Sequence, residues 1–386
     1  MNWYWVRIVD FFIGVPMIFL VKILNFFRRL VPCSDNKIKK ILVIKFWGIG
    51  NLLMMMPSAQ AIKAKFPEAD VEILTLVTNK SFIDMFNVFD KAYYISTDSI
   101  LGFIKTCFRA FLCMKRKDVV IDFEQFARFS AIWALLVFPK RSIGFDTKGQ
   151  CRRTAYTEPV TYDNNKHSSK MFFSLLEPLG ISGESFKIDN TIEYTDQEII
   201  DMDPKISEYK GKYIVFHVGT SANFRLRRWP LKYFEITAKA LLKKHDIYIF
   251  LTGVKSEQRI IDNLRRRIGQ DDRVLPFYQS SLKEFFYIVK QSKLVLSCDT
   301  SPVHVASFLG TPVVGLYGPN VPSLYGPWGD GKGYAFYNKQ QCSPCITNYN
   351  AKYHKCKHPQ GKGFCMRQIQ PQEVITKIDQ MLGGTQ

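Results

Sequence analysis

At about 150 residues per domain, a chain of 386 residues has room for two to three domains. Its hydrophobic share of 47% and charged share of 23% exclude a disordered or fibrous chain. Lys and Arg total 53 against 34 Asp and Glu, a net charge of +19 that calls for a polyanionic neighbour: nucleic acid, an anionic membrane or a phosphorylated substrate.

Residues 1–32 differ in composition from the rest and are expected to form a membrane-associating amphipathic helix. The longest uncharged run in the first thirty residues, Phe11 to Val21, is eleven residues. A membrane span needs about 20. At helical spacing Arg7, Asp10, Gly14, Lys22, Asn25, Arg28 and Arg29 gather on about a third of the wheel, with Trp3, Trp5, Phe11, Phe12, Phe19 and Leu20 around the remainder. That pattern suits a helix lying in the membrane interface. Pro16 should kink or break it, so a re-entrant hairpin is a second reading, and packing on the protein's own body a third.

From Ile38 the chain alternates apolar runs with helical patterns. Ile41–Phe46, Val71–Val77, Ala92–Ser96, Val119–Phe123 and Ser142–Phe145 read as strands, with Leu52–Phe66, Lys80–Phe86, Ile100–Met114 and Ala127–Phe138 as helices. This rhythm implies a parallel doubly wound sheet in residues 38–190. Lys187–Lys212 is polar and reads as containing the linker. The rhythm restarts in residues 205–370 with strands Tyr213–Val218, Ile247–Thr252, Leu294–Ser297 and Val313–Tyr317. Helices Leu231–Lys244, Ser256–Ile268, Leu282–Gln291 and Val303–Leu309 alternate with them, and residues 371–386 carry a closing helix.

In such sheets, ligands sit beyond the carboxyl ends of strands, where helix N-termini offer free N–H groups to anions. Three junctions are informative. Lys45-Phe-Trp-Gly48-Ile-Gly50-Asn51 follows a strand and opens a helix. Gly48 and Gly50 permit close backbone approach, while Leu53 breaks the dinucleotide fingerprint. Asn51 reads either as the helix N-cap or as a substrate contact. His217-Val-Gly219-Thr220-Ser221, followed by Arg225, Arg227 and Arg228, reads as an anion site, with a solvated basic loop as the competing reading. Ser297-Cys-Asp299-Thr300-Ser301-Pro-Val-His304 places hydroxyls, N–H groups and an imidazole where a pyrophosphate would fit; a capped helix with a satisfied histidine is the alternative.

Taken together, ILVIKFWGIGNLLMMMPSAQAIKAKF (41–66), FHVGTSANFRLRRWPLKYF (216–234), LTGVKSE (251–257) and LVLSCDTSPVHVASFLGTPVVGLYGP (294–319) resemble, in order, the blocks of glycosyltransferase family 9, the lipopolysaccharide heptosyltransferases. The later CSPC…CM segment follows the same order. The resemblance implies an α/β GT-B fold: two Rossmann-like doubly wound domains facing a central cleft, acceptor side first and nucleotide-sugar side second. It implies inverting transfer of heptose or a related sugar from ADP-heptose or another nucleotide-sugar to a phosphorylated lipopolysaccharide-core or related glycolipid, with no cofactor and no metal. The donor would meet Gly219, Thr220, Arg227, Glu257, Asp299, Thr300, Ser301 and His304. Arg227 stands where the family has lysine and Ser301 where it usually has glycine. The acceptor-side loop would be Gly48–Gly50.

The family's general base, an aspartate, corresponds here to Asn51, and an amide cannot take a proton at neutral pH. Glu124 and Asp122, at the end of the Val119–Phe123 strand, are the candidate replacements; ordinary strand-end polarity is their other reading. A second functional reading is a catalytically weakened, membrane-bound relative that binds nucleotide-sugar or glycan as an assembly partner. A third is an epimerase of the same fold acting on a soluble nucleotide-sugar.

Cys342 and Cys345, with Cys356, Cys365, His354 and His358, are spaced unlike a zinc ribbon, so free thiols are expected rather than a metal. Nine cysteines do not make a disulfide scaffold in a chain of this length, and no cleavable signal peptide is evident. The runs Lys115–Lys117, Arg152-Arg153, Lys243-Lys244 and Arg265–Arg267 read as solvated faces. With the N-terminal helix they fit an anionic bilayer on the cytoplasmic side of the inner membrane, bound peripherally or monotopically. No nucleic-acid reader motif is found.

Overall fold

The computed structural model describes residues 10–28, 37–114, 116–183, 188–220, 222–278, 281–329, 332–345, 356 and 358–383. Trp3, Trp5, Arg7, Arg29, Ser221 and His354 lie outside the described residues. The chain divides into two compact units, at Asp189 and Asn190.

The first unit holds a parallel six-stranded sheet in the order β3-β2-β1-β4-β5-β6. Its strands are β1 (Lys40–Ile44), β2 (Asp70–Leu76), β3 (Lys91–Ile95), β4 (Val119–Asp122), β5 (Arg141–Asp146) and β6 (Glu158–Thr161). The central strands β1 and β4 are apolar runs buried almost throughout, as expected where helices cover both faces of a parallel sheet. The helices that matter below are α1 (Gly14–Arg28), α2 (Ile49–Lys65), α3 (Ile100–Cys113) and α4 (Arg128–Leu136). Around Lys80 the helix spans only Lys80–Ile83, shorter than the pattern suggested.

Alternate residues of β1, β2 and β4 (Leu42, Ile44, Leu74, Leu76, Val120) form one core with Ile18 and Val21 of α1, Ala110 of α3 and Ala131 and Trp133 of α4. So α1 packs on the protein's own body. Asp10, just before it, accepts the N–H groups of Arg128 and Phe129 at 2.9 and 3.1 Å and pairs with the Arg128 guanidinium at 3.1 Å. Part of the polar third of the wheel faces α4: Asp10 holds that helix's first N–H groups and Gly14 is buried. The helix is interrupted ahead of Pro16, as the sequence suggests: residues 10–12 are helical, Ile13 is a turn and α1 restarts at Gly14, Pro16 in its first turn having no N–H to offer the Phe12 carbonyl. No described helix is long and apolar enough to cross a membrane.

The second unit repeats the plan, with order β12-β11-β10-β7-β8-β9. Its strands are β7 (Tyr213–His217), β8 (Tyr248–Gly253), β9 (Val274–Tyr278), β10 (Leu294–Cys298), β11 (Val313–Tyr317) and β12 (Gly333–Tyr337). Helices α5 (Ser168–Ser174) and α6 (Asp196–Ile206) precede this sheet in the chain. The latter lies within the stretch read as linker. Then come α7 (Leu231–Lys244), α8 (Gln258–Ile268), α9 (Leu282–Gln291), α10 (Ser301–Leu309) and the closing α11 (Pro371–Met381). Trp229, 2% exposed, anchors this core and donates its indole N–H to Ile369 O at 3.0 Å.

In each sheet the strand order reverses beside the first strand of that unit, between β1 and β4 and between β7 and β10. Crevices for ligands open at such switch points, beyond the carboxyl ends of the strands.

Candidate active site

At the first switch point, Gly48 takes φ 81° and ψ 120° as the N-cap of α2, a left-handed conformation that favours glycine. Asn51 is therefore not the N-cap. It lies in the helix's first turn, its amide donating to Trp47 O at 3.4 Å, while its buried Oδ1 accepts no hydrogen bond from a described residue.

The loop is held from β4. Glu124 Oε1 accepts Phe46 N–H at 2.7 Å and Trp47 N–H at 3.1 Å, and lies 3.1 Å from Lys45 Nζ, a pair almost wholly buried. Asn79 fixes the same loop by donating to Phe46 O at 2.8 Å. Asp122 is 0% exposed. Its Oδ1 accepts Glu124 N–H at 2.9 Å; its Oδ2 accepts Arg152 Nη2 and Tyr156 Oη, each at 2.7 Å. Burial pushes its carboxyl above the ordinary value, against the pull of Arg152 and Tyr156. A substrate hydroxyl has no access to Asp122, and Glu124 has the work of clamping the loop. The partners the structure shows for the two carboxylates considered from sequence as proton acceptors are thus the loop N–H groups and Lys45 for Glu124, and Arg152, Tyr156 and the Glu124 N–H for Asp122. Arg152, read as part of a solvated basic run, is also 0% exposed and donates to the Glu124 carbonyl. Lys117, from another such run, is a buried partner of Glu72.

At the second switch point the predicted residues lie at neighbouring strand ends, Gly219 and Thr220 after β7, Glu257 after β8, and Asp299 to His304 after β10. Gly219 lies where a Cβ would fall 1.9 Å from Glu257 Oε1, so only glycine lets that carboxylate lie against the strand end. Glu257 Oε2 accepts Val254 N–H at 3.1 Å. Burial raises the Glu257 pKa, countered by that N–H and by Arg228. Arg228 donates to Thr220 Oγ1 at 2.9 Å and to Thr220 O at 3.2 Å. Arg227 reaches from the turn after β7 to the end of β10: its Nη1 donates to Asp299 O at 3.1 Å and its Nε is 3.3 Å from Asp299 Oδ2. Asn320, past the end of β11, donates to that same Oδ2 at 3.1 Å.

Thr300 is the N-cap residue of α10, yet its hydroxyl bonds to Cys298 O at 3.2 Å and no side chain caps the helix. The opening N–H groups of α10, with half-buried Ser301 and buried His304 in its first turns, line the same strand end. Guanidinium groups and helix N-termini are the groups with which proteins bind phosphates, and two of the former and one of the latter lie at these strand ends. Sequence reasoning placed Arg228 in the anion site without giving it a donor contact; it missed Asn320 as a site member, and Lys45, Arg152 and Tyr156 as loop supports. Among the described residues, no group of three or more His, Cys, Asp or Glu is placed to hold a metal ion.

A family model for glycosyltransferase family 9 (heptosyltransferase) matches residues 107–355, more than half the chain. The chain belongs to this family. Lipooligosaccharide heptosyltransferase 2 of Campylobacter jejuni subsp. jejuni serotype O:2 is 23% identical over 159 residues, 40% of this chain and only 47% of the relative. Lipopolysaccharide heptosyltransferase 1 of Campylobacter coli is 22% identical over 366 residues, 89% of this chain and 99% of the relative. The solved E. coli heptosyltransferase WaaC with ADP-2-deoxy-2-fluoro heptose is 17% identical with a TM-score of 0.64, covering 88% of this chain and 99% of that one. The two parallel six-stranded sheets have the GT-B architecture of such structures.

Two outcomes test these assignments. Glu124→Gln leaves Lys45 buried without its charge partner and should lower stability in denaturant unfolding by about 3–5 kcal/mol; an unchanged midpoint would show that the clamp is dispensable. Burial lowers the His217 pKa to about 4, below its ordinary 6.5. The unfolded chain therefore takes up this proton first, and the stability present above pH 6.5 is lost as pH falls toward 4. Thermal unfolding of His217→Gln should show a shallower decline than the unaltered chain across that window, and matching declines would refute the assignment.

Proposed function

We propose that this protein transfers heptose, or a related sugar, from ADP-heptose or another nucleotide-diphosphate sugar to a phosphorylated lipopolysaccharide-core or related glycolipid, with inversion at the anomeric carbon. The observation that carries this reading is the linked strand-end block of the second unit: Gly219, Thr220 and Glu257 joined through Arg228, and Arg227 joined to Asp299, beside the uncapped start of α10. The E. coli relative's ADP-sugar analogue supports the choice of donor.

The donor diphosphate lies against Thr220, Thr300, Ser301 and the α10 N–H groups. Glu257 accepts hydroxyls of the nucleoside. As the sugar–phosphate bond breaks, negative charge grows on the departing diphosphate, and Arg227, His304 and the helix terminus stabilise it in a site built before the reaction begins. The first unit serves the acceptor. The Gly48–Gly50 loop, held in place by Glu124, presents Asn51, whose unpartnered Oδ1 accepts a hydrogen bond from the attacking hydroxyl. Asn51 orients that hydroxyl without taking its proton, which leaves late to water or phosphate.

A glycolipid acceptor puts the enzyme at a bilayer, and we place it on the cytoplasmic face of the inner membrane. The outward side of α1, with Phe12, Phe19 and Ile23 exposed, and the net charge of +19 support that placement.

The test is nucleoside diphosphate release with and without acceptor glycolipid. Release should require acceptor, and Arg227→Ala and His304→Ala should each lower kcat by about 10²-fold. Acceptor-independent release, or full activity in Arg227→Ala, contradicts the reading. Asn51→Asp restores a proton acceptor and should raise kcat at least about tenfold, within the range of general-base effects. Turnover that stays level or falls would mean that proton removal does not limit the rate.

A further inference from the structure

Helix α3 connects β3 to β4, and a crossover helix of this kind ordinarily buries one face and turns a polar one to water. α3 does not. Ser99 caps it, its hydroxyl accepting Gly102 N–H at 3.0 Å, and it packs inward through Phe103 and Cys107 and the buried Ala110. Its outer side is also apolar: Ile100 is 80% exposed, Leu101 81%, Ile104 59%, Phe108 62% and Leu112 48%. At 100° per residue these five fall within one third of the wheel. Exposed Lys105 and Arg109 border that arc on one side, and the sequence ILGFIKTCFRAFLC contains no acidic residue. A contiguous apolar face of this kind marks a contact surface.

The neighbouring helices indicate what covers it. α4 lies between α3 and α1: Phe103 of α3 packs on Phe129 at 5.5 Å between ring centres, while Asp10, ahead of α1, accepts the Phe129 N–H. Ile18 and Val21 of α1 and Ala110 of α3 enter the same core on the same face of the first sheet. The opposite sides of both helices consequently point away from that sheet, and that of α1 is apolar as well, with Phe12, Phe19, Leu20 and Ile23 about half exposed or more. Exposed Lys22 accompanies them.

We propose that α3 is a second membrane-docking helix. Its outward face enters the interfacial region of an anionic phospholipid bilayer beside that of α1, with Lys105 and Arg109 at headgroup level. The charge favours this occupant over a second copy of the chain, because two faces bordered by cations on molecules of net charge +19 repel each other. Large apolar side chains bordered by Lys and Arg on one helix are the composition that interfacial helices use. The inference deepens the membrane placement proposed above and is independent of the sugar and the donor.

The experiment is sedimentation of the full chain with vesicles of phosphatidylcholine alone or mixed with phosphatidylglycerol. The unaltered chain should bind the mixed vesicles more tightly. Ile104→Asn with Phe108→Asn should weaken that binding about tenfold with no change in thermal midpoint, since both residues are exposed. Leu101→Asn with Leu112→Asn, on the same face, should do likewise, and Lys105→Gln with Arg109→Gln should narrow the difference between the two vesicle types. If both α3 pairs bind like the unaltered chain while Phe12→Asn with Phe19→Asn abolishes binding, the inference fails and the α1 placement stands. If the unaltered chain binds neither vesicle, both fail. If the α3 substitutions instead halve the solution mass, the face is an interface between copies and the inference is overturned.

Discussion

The Arg227–Asp299 pair ties together the two strand ends that border the second switch point. Arg227 comes from the turn after β7 and Asp299 from the residue after β10, and the guanidinium engages both the backbone carbonyl and the carboxylate of Asp299. Asn320 adds a donor to the same carboxylate from beyond β11. Three neighbouring strand ends are thereby locked in one arrangement around the start of α10. A site that must stabilise charge appearing on a leaving group gains most when its dipoles are already in place. The pair also moderates the guanidinium's charge, keeping a cation half-buried at the strand end.

The first unit solves a related problem with opposite signs. Its clamp is a carboxylate: Glu124 gathers two loop N–H groups and the Lys45 ammonium, and Asp122 and Arg152 brace it from behind. Buried ion pairs contribute little net stability over apolar packing, but breaking one is costly, so such networks specify a conformation rather than strengthen a fold. Here the conformation specified is that of the loop leading into Gly48 and Asn51.

Much of this was legible in the sequence because central parallel strands are unbroken apolar runs. Tyr213–His217, Leu294–Cys298 and Val313–Tyr317 were found close to their observed limits. The strands missed, β6, β9 and β12, are all sheet edges. They carry Pro159, Pro276 and exposed positions that an edge tolerates and a central strand does not, so they lack the signal. The donor-side residues were legible because they cluster at strand ends in chain order. The clamp was not: Arg152 pairs with Asp122 across 30 residues, and nothing local separates it from the exposed Arg153 beside it. The outward face of α3 was hidden for a different reason. A helix that is apolar on both sides reads in sequence as a well-buried crossover helix.

The central claim is that the strand-end block of the second unit exists to hold and neutralise a diphosphate. Calorimetric titration of the full chain with ADP and with AMP tests it most directly, as the ratio of the two dissociation constants before and after Arg227→Ala. The account predicts that the unaltered protein prefers ADP and that the substitution removes most of that preference while AMP binding changes little. A preference for ADP that survives the loss of Arg227 would contradict it.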